Sequence, residues 1–329
     1  MKAMLCKAFG PPESLTLEDL PSKPLAAGQV RLAVHAAGVN FPDVLMIEGK
    51  YQFKPPFPFA PGAEVAGEVV EVAPDVKSVK LGDRVIAMVG SGGYADEAVA
   101  AASSCMTIPA SMDFATAAGF SMTYGTSYHA LVQRGALQPG EVLLVHGASG
   151  GVGTSAIDIG KQLGAKIIAT GGSDAKLARV AQHYGVEHVI NYRTEPNWKD
   201  KVKELTGGKG ADVIYDAVGG AVLENSLRCV NWAGRVLVIG FAGGEIPKVP
   251  ANLVLLKGCA LVGVFWGAFA GRDPELNRQN FQTMFAWYEQ KKLAPIVSQR
   301  FPLEKAKDAM HAIIAREVVG KCVITMGRS

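Results

Sequence analysis

The sequence predicts an α/β protein of two domains, an all-β, barrel-like unit and a doubly wound parallel sheet with helices on both faces. Three observations lead there. Up to about residue 110 the chain reads as short strands broken by turn residues, and from about residue 120 apolar strands alternate with helical segments. Near-continuous apolar runs of the second kind belong to parallel strands buried on both faces. The 38 glycines among 329 residues sit mostly at the ends of apolar runs, where strands turn tightly into helices, and exceed the roughly 7% of average usage.

In the first region, residues 29–39 alternate Val30, Leu32 and Val34 with small or polar neighbours, and residues 63–72 repeat the pattern. Pro55, Pro56, Pro58 and Pro61 crowd one loop; proline lacks an N–H and fixes φ, so this loop is stiff, extended and outside any central strand. The second region opens with a strand at 142–146, a helix at 152–163 and a strand at 166–170, a βαβ unit. Further strands are expected at 188–190, 212–216, 235–239 and 260–264, with a helix at 175–183. Two helical segments, 274–292 and 303–316, and a final strand, 321–326, complete the chain. In the last helix Ala306, Ala309, Met310, Ile313 and Ile314 fall on one face, which packs inward. The plan is discontinuous: residues 1–120 and 266–329 form one domain around an inserted dinucleotide-binding domain, 121–265.

Composition narrows the function. Hydrophobic residues are 49% and charged residues 19%, which suits a folded chain rather than a disordered one. Lys plus Arg number 33 against 30 Asp plus Glu, and they are scattered, so no basic stripe is set up for nucleic acid. The five cysteines, at 6, 105, 229, 259 and 322, form no C-x-x-C pair and read as reduced thiols in a reducing compartment. No stretch has the length and apolarity of a membrane span or signal peptide. The expectation is a soluble, cytoplasmic protein.

The strongest local signal runs from Val145 to Gly153, Val-His-Gly-Ala-Ser-Gly-Gly-Val-Gly, between the first strand and first helix of the βαβ unit. Glycines there allow a tight turn and close approach to a pyrophosphate, which the amides and dipole of the helix N-terminus attract. Ser149, Gly150, Gly151 and Val152 are the candidate contacts. Domains specific for NAD place an Asp or Glu near the tip of the second strand, for the ribose 2′-hydroxyl. Here the strand leads into Gly171-Gly172-Ser173 with no carboxylate at its tip, while Ser173, Lys176 and Tyr192 are possible donors to a 2′-phosphate. NADPH is the expected cofactor. The alternative has Lys176 and Arg179 on a solvated helix face and Asp174 holding NAD.

The chain as a whole resembles the medium-chain dehydrogenase/reductase superfamily and, within it, the zinc-independent quinone oxidoreductase, or ζ-crystallin-like, branch. The resemblance is carried by Gly38-Val39-Asn40-Phe41-Pro42-Asp43, Gly49-Lys50-Tyr51, Pro61 to Gly67, Gly82-Asp83-Arg84-Val85, Ala148 to Gly153, Asp216 to Gly220 and Gly320-Lys321. It implies a GroES-like β-barrel catalytic domain and a Rossmann cofactor domain. The zinc alcohol dehydrogenases of the superfamily place Cys where Asn40 stands and His where Ala63 stands, and carry a four-cysteine lobe absent here. Zinc favours thiolate and imidazole, so no metal is expected.

Without a Lewis acid, conjugated acceptors that spread the incoming charge, such as quinones or α,β-unsaturated carbonyls, are the expected substrates. The resemblance implies hydride transfer from nicotinamide C4 with polar donors at the acceptor oxygen. Asn40 would orient the acceptor or the nicotinamide; its plainer reading is a turn residue, and that of Glu64 a buried charge. Tyr51 would donate a proton or form an aromatic wall, and its match to enoyl thioester reductases keeps that activity as an alternative. A non-catalytic, crystallin-like NADPH-binding protein is another. Gly172 belongs with the 2′-phosphate loop, Thr123 matches a segment that approaches the nicotinamide or else caps a helix, and Phe241, Phe265 and Trp266 line the cofactor pocket or pack in the core. His129 and His146 lie in apolar stretches, and His129 reads as a helix residue rather than a catalytic one. Relatives pair the strand at 260–264 across a two-fold axis, implying a homodimer.

Overall fold

The computed structural model describes residues 1–328, which divide into two compact units. One comprises Met1–Met122 together with the C-terminal segment from Ile296, and the other Thr123–Pro295.

The first unit begins with a two-stranded antiparallel ribbon, β1 (Lys2–Leu5) and β2 (Thr16–Asp19). Its main sheet is built on β3 (Gln29–Gly38), which pairs antiparallel with β4 (Glu64–Val72) along its length and with β6 (Glu97–Ala101) at its start; β5 (Arg84–Met88) joins β4 to the short β7 (Cys105–Thr107). The β3–β4 register slips at Arg31/Leu32 and at Val34/Ala36, and such irregularities bend a strand and increase its twist, as a curling sheet requires. Gly38 ends β3 where a Cβ would fall 2.3 Å from both Glu64 Oε1 and the Ala118 carbonyl.

The second unit is a six-stranded parallel sheet of β8 (Val142–His146), β9 (Lys166–Gly171), β10 (His188–Asn191), β11 (Ala211–Asp216), β12 (Val230–Val238) and β13 (Ala260–Gly263). Their spatial order, β10-β9-β8-β11-β12-β13, reverses direction between β8 and β11. This is the doubly wound arrangement with its ligand crevice at the carboxyl ends of the strands, beside the switch point. Leu144, Ile168, Ile214 and Val236 from four adjacent strands share one core with Trp198, Val202 and Leu223 from covering helices.

The last two strands, β14 (Val297–Pro302) and β15 (Lys321–Thr325), return to the first sheet, β15 pairing antiparallel with β3. The helix Ala306–Ile314 buries Ala306, Ala309, Met310 and Ala312 in the same core as Val34, Val65 and Ile324, with Ile313 packed beside them. Ile314, expected on that face, is 44% exposed, because it stands at the helix end one step off the buried stripe. The sequence reading also missed β1, β2 and β14: β1 buries Ala3, Met4 and Leu5 in succession and so shows no alternation, while β2 and β14 carry polar, exposed or half-buried residues.

The boundary of the second unit differs from the expected one. Residues 266–295 pack with the parallel sheet, as the helices Trp266–Arg272 and Pro274–Glu289, with Asp273 between them accepting from the Leu276 N–H. Trp266 anchors this segment: Gly125 leaves room for its ring, and its Nε1 donates to Asn277 Oδ1 at 2.9 Å. Among the described residues no helix is long and apolar enough to cross a membrane.

Candidate functional site

In the parallel-sheet unit the cofactor candidates converge on the carboxyl edge. Gly147, at φ +66°, turns the chain out of β8, the Gly150 N–H donates to the Gly147 carbonyl at 2.9 Å, and the helix Gly151–Gln162 begins at once. Gly153 must be glycine, since a Cβ there would lie 2.3 Å from the Gly147 carbonyl oxygen. Gly150, the N-cap residue, supplies no side chain to the first-turn amides, which are left to an external acceptor. A pyrophosphate fits this turn.

Gly172 and Ser173 follow β9, and Tyr192 and Arg193 follow β10, the neighbouring strand. Ser173 is the N-cap of the helix Asp174–Tyr184, in whose first turn Lys176 lies. Arg193, missed in the sequence, lies against Gly172, where a Cβ would stand 2.8 Å from its Nε. No carboxylate pairs with its guanidinium among the described residues. The only signal for it was its place directly after Tyr192. Asp216, at the end of β11, accepts from the N–H groups of Val218 (2.6 Å) and Gly219 (2.8 Å) and so fixes the next loop; burial raises its pKa to about 6.

Phe241 follows β12 and packs over Gly219; Phe265 follows β13 and is 68% exposed. Trp266 is buried in packing, as described above, because Gly125 opens the space for it. Its ring thus takes the core place that the sequence reading held as an alternative to the cofactor pocket. Thr123 is buried in the helix Ser121–Tyr128, where its carbonyl accepts from Ser155 Oγ. His146 is fully buried, bonded to Thr170 Oγ1 at 2.6 Å and Ser226 Oγ at 2.9 Å; desolvation lowers its pKa to about 3. His129 stacks on Phe269 at 4.0 Å and is held below its ordinary pKa, chiefly by burial.

In the β-rich unit Asn40 precedes the helix Phe41–Ile47, and its N–H donates to Asp43 Oδ2 at 2.8 Å. Asp43 also accepts from Tyr94 O–H, and burial raises its pKa to about 6. The Asn40 side chain lies between two charges: Nδ2 donates to Glu64 Oε1 at 2.9 Å, and Oδ1 accepts from Lys321 Nζ at 2.6 Å. Lys321 in turn pairs with Glu64 at 2.7 Å. The burial of Glu64 was legible in the sequence; its partner on β15 was not. Tyr51 is half-buried, and its hydroxyl has no hydrogen-bond partner among the described residues. Burial first, and the nearby Asp43 second, raise its pKa, so it stays protonated at neutral pH.

Residues 151–290 match the family described as zinc-binding dehydrogenase, and residues 26–110 match the alcohol dehydrogenase GroES-like domain. The chain is 42% identical over 327 residues to the quinone oxidoreductase-like protein 2 homolog of Nematostella vectensis, covering 98% of this chain and 88% of the relative. It is 36% identical over 329 residues to the quinone oxidoreductase of Sus scrofa, covering 99% and 98%. Among solved structures, Escherichia coli quinone oxidoreductase complexed with NADPH aligns with a TM-score of 0.89 at 29% identity, covering 99% and 100%.

The residues present do not fit the zinc ion that the first description implies. Ala63 offers no donor atom, and the ammonium of Lys321, within 2.7 Å of both Asn40 and Glu64, would repel a divalent cation. Among the described residues no three His, Cys, Asp or Glu side chains form a metal cradle.

Proposed function

The chain belongs to the medium-chain dehydrogenase/reductase superfamily, in its zinc-independent quinone oxidoreductase branch, and from that premise we propose that this oxidoreductase uses NADPH to reduce quinones or other conjugated carbonyls. The observation that carries the cofactor choice is the carboxyl edge of β9 and β10, where β9 runs into Gly171-Gly172-Ser173 with no carboxylate at its tip and Arg193 lies against Gly172. An acidic side chain there would hold a ribose hydroxyl and repel a phosphate, whereas a guanidinium and an ammonium attract one.

In this reading the amides of Gly151 and Val152, with Ser149 and Gly150 in the turn, hold the pyrophosphate, and Arg193, Lys176, Ser173 and Tyr192 recognise the 2′-phosphate. Thr123, Phe241 and Phe265 contact the rest of the cofactor. NADPH supplies a hydride from C4 of its nicotinamide. Asn40 donates an N–H to the acceptor oxygen, favouring its developing negative charge. Tyr51, kept protonated by burial, is the proton source that completes reduction to a hydroquinone or a saturated carbonyl. The same free hydroxyl supports a second reading, reduction of enoyl thioesters.

We also propose a homodimer. β13 lies at the sheet edge with Ala260, Leu261 and Gly263 exposed, and Leu255 and Leu256 on the preceding helix are exposed as well. An apolar unpaired edge invites strand pairing with a second copy. Four of the five free cysteines are buried, which suits the reducing cytoplasm proposed as its compartment.

Oxidation of NADPH and NADH, each with 1,4-benzoquinone, crotonyl-CoA and an enal, tests the reading. Turnover of benzoquinone with NADPH well above NADH is expected. A preference for NADH would overturn the phosphate assignment, and tight NADPH binding without turnover of any acceptor would point to a binding protein.

A further inference from the structure

Lys321 has no part in the reading above, yet it is 6% exposed and its three ammonium hydrogens meet three acceptors. These are the Val39 carbonyl at 3.1 Å, Asn40 Oδ1 at 2.6 Å and Glu64 Oε1 at 2.7 Å. Glu64 is fully buried; Oε1 also accepts from Asn40 Nδ2, and Oε2 accepts from the Met122 N–H at 2.8 Å. The fold makes room for this carboxylate, since any side chain at Gly38 would collide with it.

A buried ion pair adds little net stability compared with apolar residues of the same volume, so stability alone is a weak reason to build one from β3, β4 and β15. Orientation is a stronger reason. The two ends of an amide are nearly identical in shape, and only hydrogen bonding decides which way it points. Lys321 can only donate and an ionised Glu64 can only accept. Together they force the Asn40 oxygen towards one and its nitrogen towards the other. One N–H of Asn40 is then left with the Gly38 carbonyl at 3.5 Å, at the limit of a hydrogen bond. That weakly held hydrogen is the one available to an incoming acceptor oxygen.

We propose that Lys321, with Glu64 as its counterion, is a positioning residue that locks the Asn40 amide so that its spare N–H is offered to the acceptor oxygen. The proposal rests on the role assigned to Asn40 in the functional reading. Removing Lys321 alone leaves Glu64 buried without its ion-pair partner and endangers the fold, so the informative variant is the neutral pair Lys321→Met/Glu64→Gln. A glutamine can donate or accept, and the lock is lost while the volume is kept.

The neutral pair is expected to melt within a few degrees of the parent and to bind NADPH with a Kd within about twofold. Its kcat with 1,4-benzoquinone should fall about tenfold or more, and the combined variant with Asn40→Ala should lose in total no more than the larger of the two separate losses, because both changes remove one device. A kcat within threefold of the parent, or losses that multiply in full, would overturn the proposal. The same cycle read in melting temperature needs no turnover. If the parent reduces no acceptor, the functional reading fails by itself; coupling of several degrees between Asn40→Ala and the neutral pair then supports the lock, and strict additivity overturns it.

Discussion

In the parallel-sheet unit the candidate site is made largely of backbone. Gly147, Gly150 and Gly153 bring amides to one point, and no side chain caps them. In the β-rich unit it is made of side chains whose charges are buried, with Lys321, Glu64 and Asn40 drawn from three strands or their ends. A backbone turn tolerates changes that keep its small residues, whereas a buried charge depends on every partner. The two units should therefore fail differently when altered.

The largest effect is expected in the charged network. Lys321→Met leaves Glu64 buried without its counterion, and breaking a buried pair on one side typically costs about 3–5 kcal/mol. Denaturant unfolding should record a loss of that order, most of it recovered by adding Glu64→Gln. A loss under about 1 kcal/mol would mean that water reaches the pair, and the contrast between the units would lapse.

The same contrast explains what the sequence made legible. The glycine turn falls within nine consecutive residues, Val145 to Gly153, between a strand and a helix, so local pattern and chemistry coincide. Asn40 and Lys321 lie 281 residues apart, and no local pattern joins them; Lys321 in isolation reads as surface. The parallel sheet was legible for its apolar runs, whereas β14, Val-Ser-Gln-Arg-Phe-Pro, puts three polar residues in a row at its centre and was not. Trp266 was read from its position after β13 as lining the pocket or packing in the core, and the space that Gly125 leaves for its ring is a pairing across 141 residues visible only in three dimensions.

A middle-sized effect is expected at the sheet edge, where a side chain assists the backbone. Arg193→Ala removes a guanidinium beside Gly172, and hydrogen bonds to charged groups contribute about 1.5–3 kcal/mol. The ratio of NADPH to NADH affinity, read by fluorescence titration, should fall by roughly ten- to a hundredfold through NADPH alone. An equal weakening of both coenzymes would place Arg193 on the pyrophosphate instead and return the 2′-phosphate to Lys176, Ser173 and Tyr192.

The smallest effect concerns charge buried behind the backbone site. Asp216 Oδ1 holds two amides, but Oδ2 is buried without a hydrogen-bond partner among the described residues, and desolvation raises the pKa from 3.8 to about 6. A carboxyl whose folded pKa is raised stabilises the protein fully below its unfolded value and loses that contribution as pH rises through the folded value. The wild type should therefore lose stability from this group between about pH 4 and pH 6. Asp216→Asn keeps the amide-accepting oxygen and cannot ionise. Its melting temperature relative to the wild type should rise across that window to a plateau near neutrality, equivalent to about 1–3 kcal/mol. A difference that stays flat from pH 4 to pH 8 would show that Asp216 ionises without penalty, and that the charge behind this backbone site, unlike that of the Lys321–Glu64 pair, is not kept out of water.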